Sequence, residues 1–232
     1  MTIAQNLDAV RERIAVAARR AGRQPDGIAL MAVTKTFAPE LIREAYAAGQ
    51  RLFGENRVQE FAEKAGKLRD LRNIQWHMIG HLQSNKTDKA AELFAAIDSL
   101  DSLRVARRLN ESARNHGKRM AALLEINIAG EAAKSGIAAG SEELERLLAA
   151  APQFEAMEIL GLMTVPPFAD DAAEARPHFR KLRELRDQIA ARHLAGVRME
   201  VLSMGMSHDF EVAIEEGSTC VRIGTAIFGE RK

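Results

Sequence analysis

Eight short runs rich in Val, Ile, Leu and Met recur along the chain, separated by charged, alanine-rich stretches. They are Ile28 to Thr34, Arg51 to Gly54, Gln75 to Ile79, Phe94 to Asp98, Ala121 to Asn127, Ala156 to Thr164, Met199 to Ser203 and Thr219 to Ile223. Helical patterns lie between them over Pro39 to Ala48, Asn56 to Leu68, Asp101 to Asn115, Ser141 to Ala150, Ala172 to His193 and Asp209 to Glu216. Strands alternating with helices require parallel crossovers. Near-continuous apolar strands are buried on both faces. Eight is the number that closes a (β/α)8 TIM-type barrel, and 232 residues suit a compact one. A doubly wound open sheet is the rival. No linker divides the chain, so residues 1–232 are expected to form a single barrel domain.

Ahead of the first run, Ile3, Leu7, Val10, Ile14, Ala17 and Ala21 fall at spacings of three and four. This predicts an extra N-terminal helix over residues 1–22, packed on the barrel. Aromatics are only 5% of the chain, so the core is expected from small and aliphatic side chains.

Several classes of function are excluded. The net charge is +1, which gives no field toward nucleic acid or an acidic membrane surface. Arg104, Arg107, Arg108, Arg114, Lys118 and Arg119 cluster without interleaved aromatics and read as a solvated helix face. With Cys220 as the only cysteine, neither an internal disulfide nor a four-cysteine zinc site can form. No apolar run approaches the ~20 residues of a membrane helix, and the N-terminus lacks a signal-peptide stretch. A cytoplasmic monomer is expected, with a weak dimer as the alternative.

In a parallel barrel the chemistry sits where strands end. Lys35 directly follows the run Ala29 to Val33, whereas the other eight lysines lie among charges and read as solvated. Burial lowers a lysine pKa and frees a nucleophilic amine suited to Schiff-base formation. A structural lysine paired with an acid is the alternative. Ser203-Met204-Gly205-Met206-Ser207 and Gly224-Thr225 follow the last two strands, where barrels often bind phosphate through backbone N–H groups. Each loop alone reads as an ordinary connection. Both together, with Lys35, point to a phosphorylated carbonyl compound. Arg222 interrupts an apolar strand and needs a buried partner, either a ligand acceptor such as a ring nitrogen or an internal carboxylate. Asn56 either lies against a ligand or caps the next helix. His81 reads as cap or surface packing, and Asp209 as a first-turn acid.

Seven ordered blocks run from residue 32 to 229. They are Ala32 to Lys35, Phe53 to Glu60, Trp76 to Lys86, Lys134-Ser135-Gly136, Gly161 to Thr164, Leu202 to Ser207 and Val221 to Gly229. In these blocks the chain resembles the YggS-like (PROSC) family of pyridoxal 5′-phosphate homeostasis proteins. One departure is Ala90, where the family usually has a larger aliphatic residue in what should be helix packing. The resemblance implies a barrel like the N-terminal domain of alanine racemase, with pyridoxal 5′-phosphate held as an aldimine on Lys35. Ser203, Ser207, Gly224 and Thr225 would hold the phosphate, Arg222 would face the pyridine nitrogen, and Asn56 would lie near the ring. It also implies a non-catalytic carrier that buffers the cofactor or delivers it to apo-enzymes, supporting vitamin B6 and amino- and keto-acid balance. The alternatives are a low-activity amino-acid racemase and a cofactor-free Schiff-base aldolase. Against the racemase, the only tyrosine, Tyr46, falls mid-helix and away from the mouth.

Overall fold

The computed structural model describes residues 2–131 and 135–230. Lys134, part of one sequence block, lies outside the described residues. The strands are β1 Ala29–Val33, β2 Leu52–Glu55, β3 Gln75–Met78, β4 Ala96–Leu100, β5 Met120–Asn127, β6 Ile137–Ala138, β7 Met157–Met163, β8 Val197–Ser203 and β9 Cys220–Ile223. They pair in parallel in the order β4-β3-β2-β1-β9-β8-β7-β5, and β4 pairs with β5 to close the ring. The eight expected runs are therefore the eight staves of a closed barrel, and the open sheet is ruled out. The remaining strand, β6, pairs among the described residues with the end of β5, through Ile126↔Ile137 and Asn127↔Ala138. Two residues are too few to register in an apolar pattern.

The helices are α1 Ile3–Arg20, α2 Pro39–Ala47, α3 Val58–Ala65, α4 Thr87–Leu93, α5 Leu103–Asn115, α6 Glu142–Ala150, α7 Arg176–Ala190, α8 Phe210–Glu215 and α9 Thr225–Phe228. Ser102 and Ser141 cap α5 and α6 by accepting from Val105 N and Leu144 N. α7 begins later than the pattern suggested, because Pro177 belongs in a first turn and Ala172–Ala175 forms a separate 3-10 turn. α4 does not show in the apolar pattern, since seven residues carry too little periodicity, and only the resemblance points to a helix there. Ala90 lies on it, fully buried, in the helix-packing role expected of that position.

α1 opens with a capping box between Thr2 and Gln5 and buries Ile3, Leu7, Val10, Ile14, Ala17 and Ala18. Ala18, rather than Ala21, completes the face. The helix packs against α8, α9 and α2, and Asn6 Nδ2 donates to Ile227 O at 2.8 Å. Because α9 is a single turn, α1 fills the place in the outer ring where a full helix after β9 would pack.

The core is mostly aliphatic, but Phe53, Phe61, Phe94, Phe179 and Phe210 are among its largest fully buried side chains. Phe53, Trp76, Phe61 and Phe94 form a chain of rings with centroids 4.5–5.1 Å apart. The few aromatics are thus concentrated inside. Between β7 and β8 the backbones approach so closely that a Cβ on Gly161 would sit 1.9 Å from Val201 O. Only glycine fits at this register shift, which accounts for its place in the Gly161 to Thr164 block.

Candidate functional site

The carboxyl ends of the staves open on one mouth, and a cavity of about 630 Å³ lies there. Lys35 lines it from β1, Asn56 from β2, His81 from β3, and Glu125 and Asn127 from β5. Phe168, Ser207, His208, Arg222, Gly224 and Thr225 line it from the ends of β7, β8 and β9. Six of the seven expected site residues are therefore brought to one cavity.

Lys35 is half-buried on a turn under tension. Its successor Thr36 has φ +68, a left-handed conformation that costs a β-branched residue about 1–2 kcal/mol. The Thr36 N–H donates to Glu60 Oε1 at 2.6 Å. Lys64 Nζ reaches the same oxygen at 3.2 Å, Glu55 Oε1 at 2.7 Å and Thr34 O at 3.1 Å. Burial pushes the Glu60 carboxyl up, but the Thr36 N–H, Lys64 and Arg57 outweigh it and hold it below the usual range. This network clamps the turn that carries Lys35. Lys64 is 8% exposed, so it is not on a solvated face as the sequence suggested. Glu55 and Glu60, both inside the Phe53 to Glu60 block, draw it inward.

Arg222 is 4% exposed. Its Nη1 donates to Ser203 Oγ at 2.8 Å and its Nη2 to Thr164 O at 2.7 Å. Thr164 in turn donates from Oγ1 to Ile126 O at 2.7 Å, tying the arginine to β5. A hydroxyl and a carbonyl hold the guanidinium, rather than a carboxylate in direct contact. Burial lowers its pKa, while Cys220, Asp98, Asp209 and Glu125 oppose the shift at longer range. An arginine starts so high that it stays charged. Ser203 is the one expected site residue absent from the cavity lining: it is fully buried and its hydroxyl is engaged by Arg222.

Ser207 sits on the loop after β8 and Thr225 on the first turn of α9, and Ala226 N donates to Ser207 Oγ at 3.4 Å. Asp209 is 7% exposed and turns back to accept from Met206 N at 2.6 Å. It shapes the serine loop instead of capping α8, which has no side-chain cap bond. Gly205, between the two serines, is held to glycine by packing. With φ +94 it packs on α8, where an added Cβ would lie 2.6 Å from Ala213 Cβ. Asn56 lines the cavity, whereas Arg57 occupies the N-cap position of α3.

Two lining groups were underread in the sequence. His81 Nδ1 lies 2.7 Å from Asp101 Oδ2 at the mouth, so the ring is oriented and not simply packed on the surface. Glu125 is 7% exposed, accepts from Ser135 Oγ at 3.0 Å, and has its Oε2 buried without a hydrogen-bond partner among the described residues. Burial raises its pKa, Ser135 opposes this, Asp101 adds to it, and Arg222 and His81 oppose it. An acid inside an apolar run is the same anomaly that singled out Arg222. Tyr46 accepts from Arg72 N at 3.3 Å and does not line the cavity. Among the described residues no His, Cys, Asp and Glu group could hold a metal ion, and no helix is long and apolar enough to cross a membrane.

Residues 5–232 match the family model of the alanine racemase N-terminal domain. The chain is 44% identical to a pyridoxal phosphate homeostasis protein of Aquifex aeolicus over 232 residues, covering 100% of both chains. PipY of Synechococcus elongatus, solved with PLP bound, is 37% identical with a TM-score of 0.85, covering 98% of this chain and 100% of that one. Alanine racemase of Clostridium difficile shares the fold alone, at 16% identity and a TM-score of 0.75, over 99% of this chain and 57% of that one.

Proposed function

The chain belongs to the pyridoxal phosphate homeostasis protein family, and from that premise we propose that it holds pyridoxal 5′-phosphate covalently on Lys35 and buffers or delivers it without turning substrate over. One observation carries the reading. One mouth cavity gathers a lysine amine, a buried guanidinium and the hydroxyls of Ser207 and Thr225 around Gly224.

These residues fit the cofactor. Lys35 Nζ is the amine for its aldehyde, and Ser207, Thr225 and the side-chain-free Gly224 suit its phosphate. Asn56 would lie beside the ring, and Arg222 would serve the ring nitrogen. Ser203, engaged beneath Arg222, orients the guanidinium instead of contacting the phosphate. When bound, the cofactor supplies a conjugated ring that can draw electrons from an attached carbon. Arg222 limits that capacity. Two of its five N–H donors are committed to Ser203 and Thr164, which fixes its orientation. It keeps its own proton, so a ring nitrogen facing it accepts a hydrogen bond and stays unprotonated. Such a site retains and exchanges the cofactor while stabilising a carbanion weakly. The role that follows is a monomeric cytoplasmic reservoir serving apo-enzymes that use pyridoxal phosphate, and so vitamin B6 and amino- and keto-acid balance.

The test pairs uptake with turnover. Visible absorbance should report tight uptake of pyridoxal phosphate and weaker uptake of pyridoxal, with the difference reduced in Ser207→Ala and Thr225→Val. Exchange of the α-proton of alanine with deuterium should run no faster than with free cofactor. Exchange well above that rate would make the protein a racemase, and equal uptake of pyridoxal would remove the phosphate assignment.

A further inference from the structure

The wall of the cavity opposite Lys35 carries groups that holding a cofactor does not use. In the ring β1-β9-β8-β7-β5-β4-β3-β2, β5 is four staves from β1 in either direction. Glu125 on β5 lines the cavity with Oε2 buried and without a hydrogen-bond partner among the described residues. A carboxylate oxygen in that state is costly unless a ligand supplies a donor. Two staves along, His81 lines the same cavity. His81 Nδ1 lies 2.7 Å from Asp101 Oδ2, and in the neutral tautomer that donates from Nδ1 to this acid, Nε2 is an acceptor. Lys35 and Arg222, by contrast, make the wall of β1 and β9 cationic. The cavity is therefore polarised, with donors of positive charge on one side and an acid and an imidazole on the other.

We propose that the wall formed by Glu125 and His81 is a subsite for a protonated primary amine, whose N–H groups are received by Glu125 Oε2 and His81 Nε2. An ammonium has three donors in a compact head, one for each acceptor with one to spare. The amine then stands across the cavity from Lys35. This gives the reservoir a second ligand, an ammonium held beside the cofactor. That consequence rests on the cofactor reading; amine binding does not.

The charges around Glu125 set the pH behaviour. Burial and Asp101 favour its neutral form, while Ser135, Arg222 and a protonated His81 favour the ionised form, and the sum leaves its pKa above the usual glutamate value. An entering ammonium favours the ionised form. Amine affinity should therefore rise with pH through the Glu125 titration.

The test uses the full chain without cofactor, with the glutamate carboxyls labelled with carbon-13. Ethylammonium chloride should lower the Glu125 titration midpoint, and tetramethylammonium chloride, which lacks N–H donors, should not at equal ionic strength. Glu125→Gln should weaken ethylammonium binding at least about tenfold, the loss of one charge-assisted bond. A midpoint unmoved by ethylammonium in the wild-type chain overturns the proposal whatever the variant does. A midpoint that moves only with pyridoxal phosphate also overturns it, by assigning Oε2 to the cofactor. Failure to take up pyridoxal phosphate would count against the cofactor reading alone and leave the amine result standing.

Discussion

Ser203→Ala separates two roles that look alike in the sequence. Ser203 and Ser207 flank the same glycine, yet Ser203 is fully buried with its Oγ 2.8 Å from Arg222 Nη1, while Ser207 lines the cavity. The alanine removes one of the two acceptors holding a guanidinium that is only 4% exposed. A hydrogen bond to a buried charged group contributes about 1.5–3 kcal/mol. With a urea slope of about 2 kcal/mol per molar, the unfolding midpoint of the cofactor-free chain should fall by about 0.8–1.5 M. Ser207→Ala should move it by less than about 0.3 M, the range of a substitution that breaks no buried contact. The assay is urea unfolding of both variants followed by far-ultraviolet circular dichroism, with pyridoxal phosphate uptake measured alongside. Ser203→Ala with an unchanged midpoint, and a loss of uptake matching that of Ser207→Ala, would refute the assignment of Ser203 to the arginine.

Three further outcomes follow from the same contacts. Lys64→Met leaves Glu55, which is fully buried, without its cation and should destabilise the chain by about 3–5 kcal/mol in urea unfolding. Adding Glu55→Gln should recover much of that loss, and a double variant no better than the single one would contradict the pairing. Glu125 is raised by burial, so the folded chain binds its proton more tightly than the unfolded one, and stability declines as pH rises from the usual glutamate range through the raised value. Glu125→Gln should flatten that decline and leave the chain more stable at pH 7, whereas an unchanged pH profile would show that the carboxyl is not buried as described. The Cys220 thiol, pushed up to about 12 by burial and by Asp98, should resist thiol reagents at pH 8 until denaturant unfolds the barrel. Rapid labelling of the native chain would contradict its burial.

The strand count was legible because most staves are buried along nearly their whole length and so print an apolar run, β3 and β8 being the more exposed ones. What failed to print was short. β6 and α4 span two and seven residues, below the length at which periodicity can be recognised. The role of α1 depended on α9 stopping after one turn, a fact about the ring and not about either helix. Lys35 and Arg222 were visible as charges at odds with their apolar surroundings. Glu125 offered the same anomaly inside its own run. The division of labour between Ser203 and Ser207 was beyond the sequence, because it depends on which serine β8 places beside Arg222. Lys64 was misread for a similar reason: Glu60 is its neighbour on α3, but the buried Glu55 stands next to it only once α3 folds back over β2.

The central claim is that Lys35 holds the cofactor covalently. The most direct measurement is borohydride reduction of the protein after incubation with pyridoxal phosphate, followed by peptide mapping of the wild type and Lys35→Ala. The account predicts a yellow wild type with a single reduced adduct at Lys35, and no adduct at that position's peptide in the variant. A wild type that stays colourless and untagged in excess cofactor, or an adduct on another lysine that persists in Lys35→Ala, would contradict it.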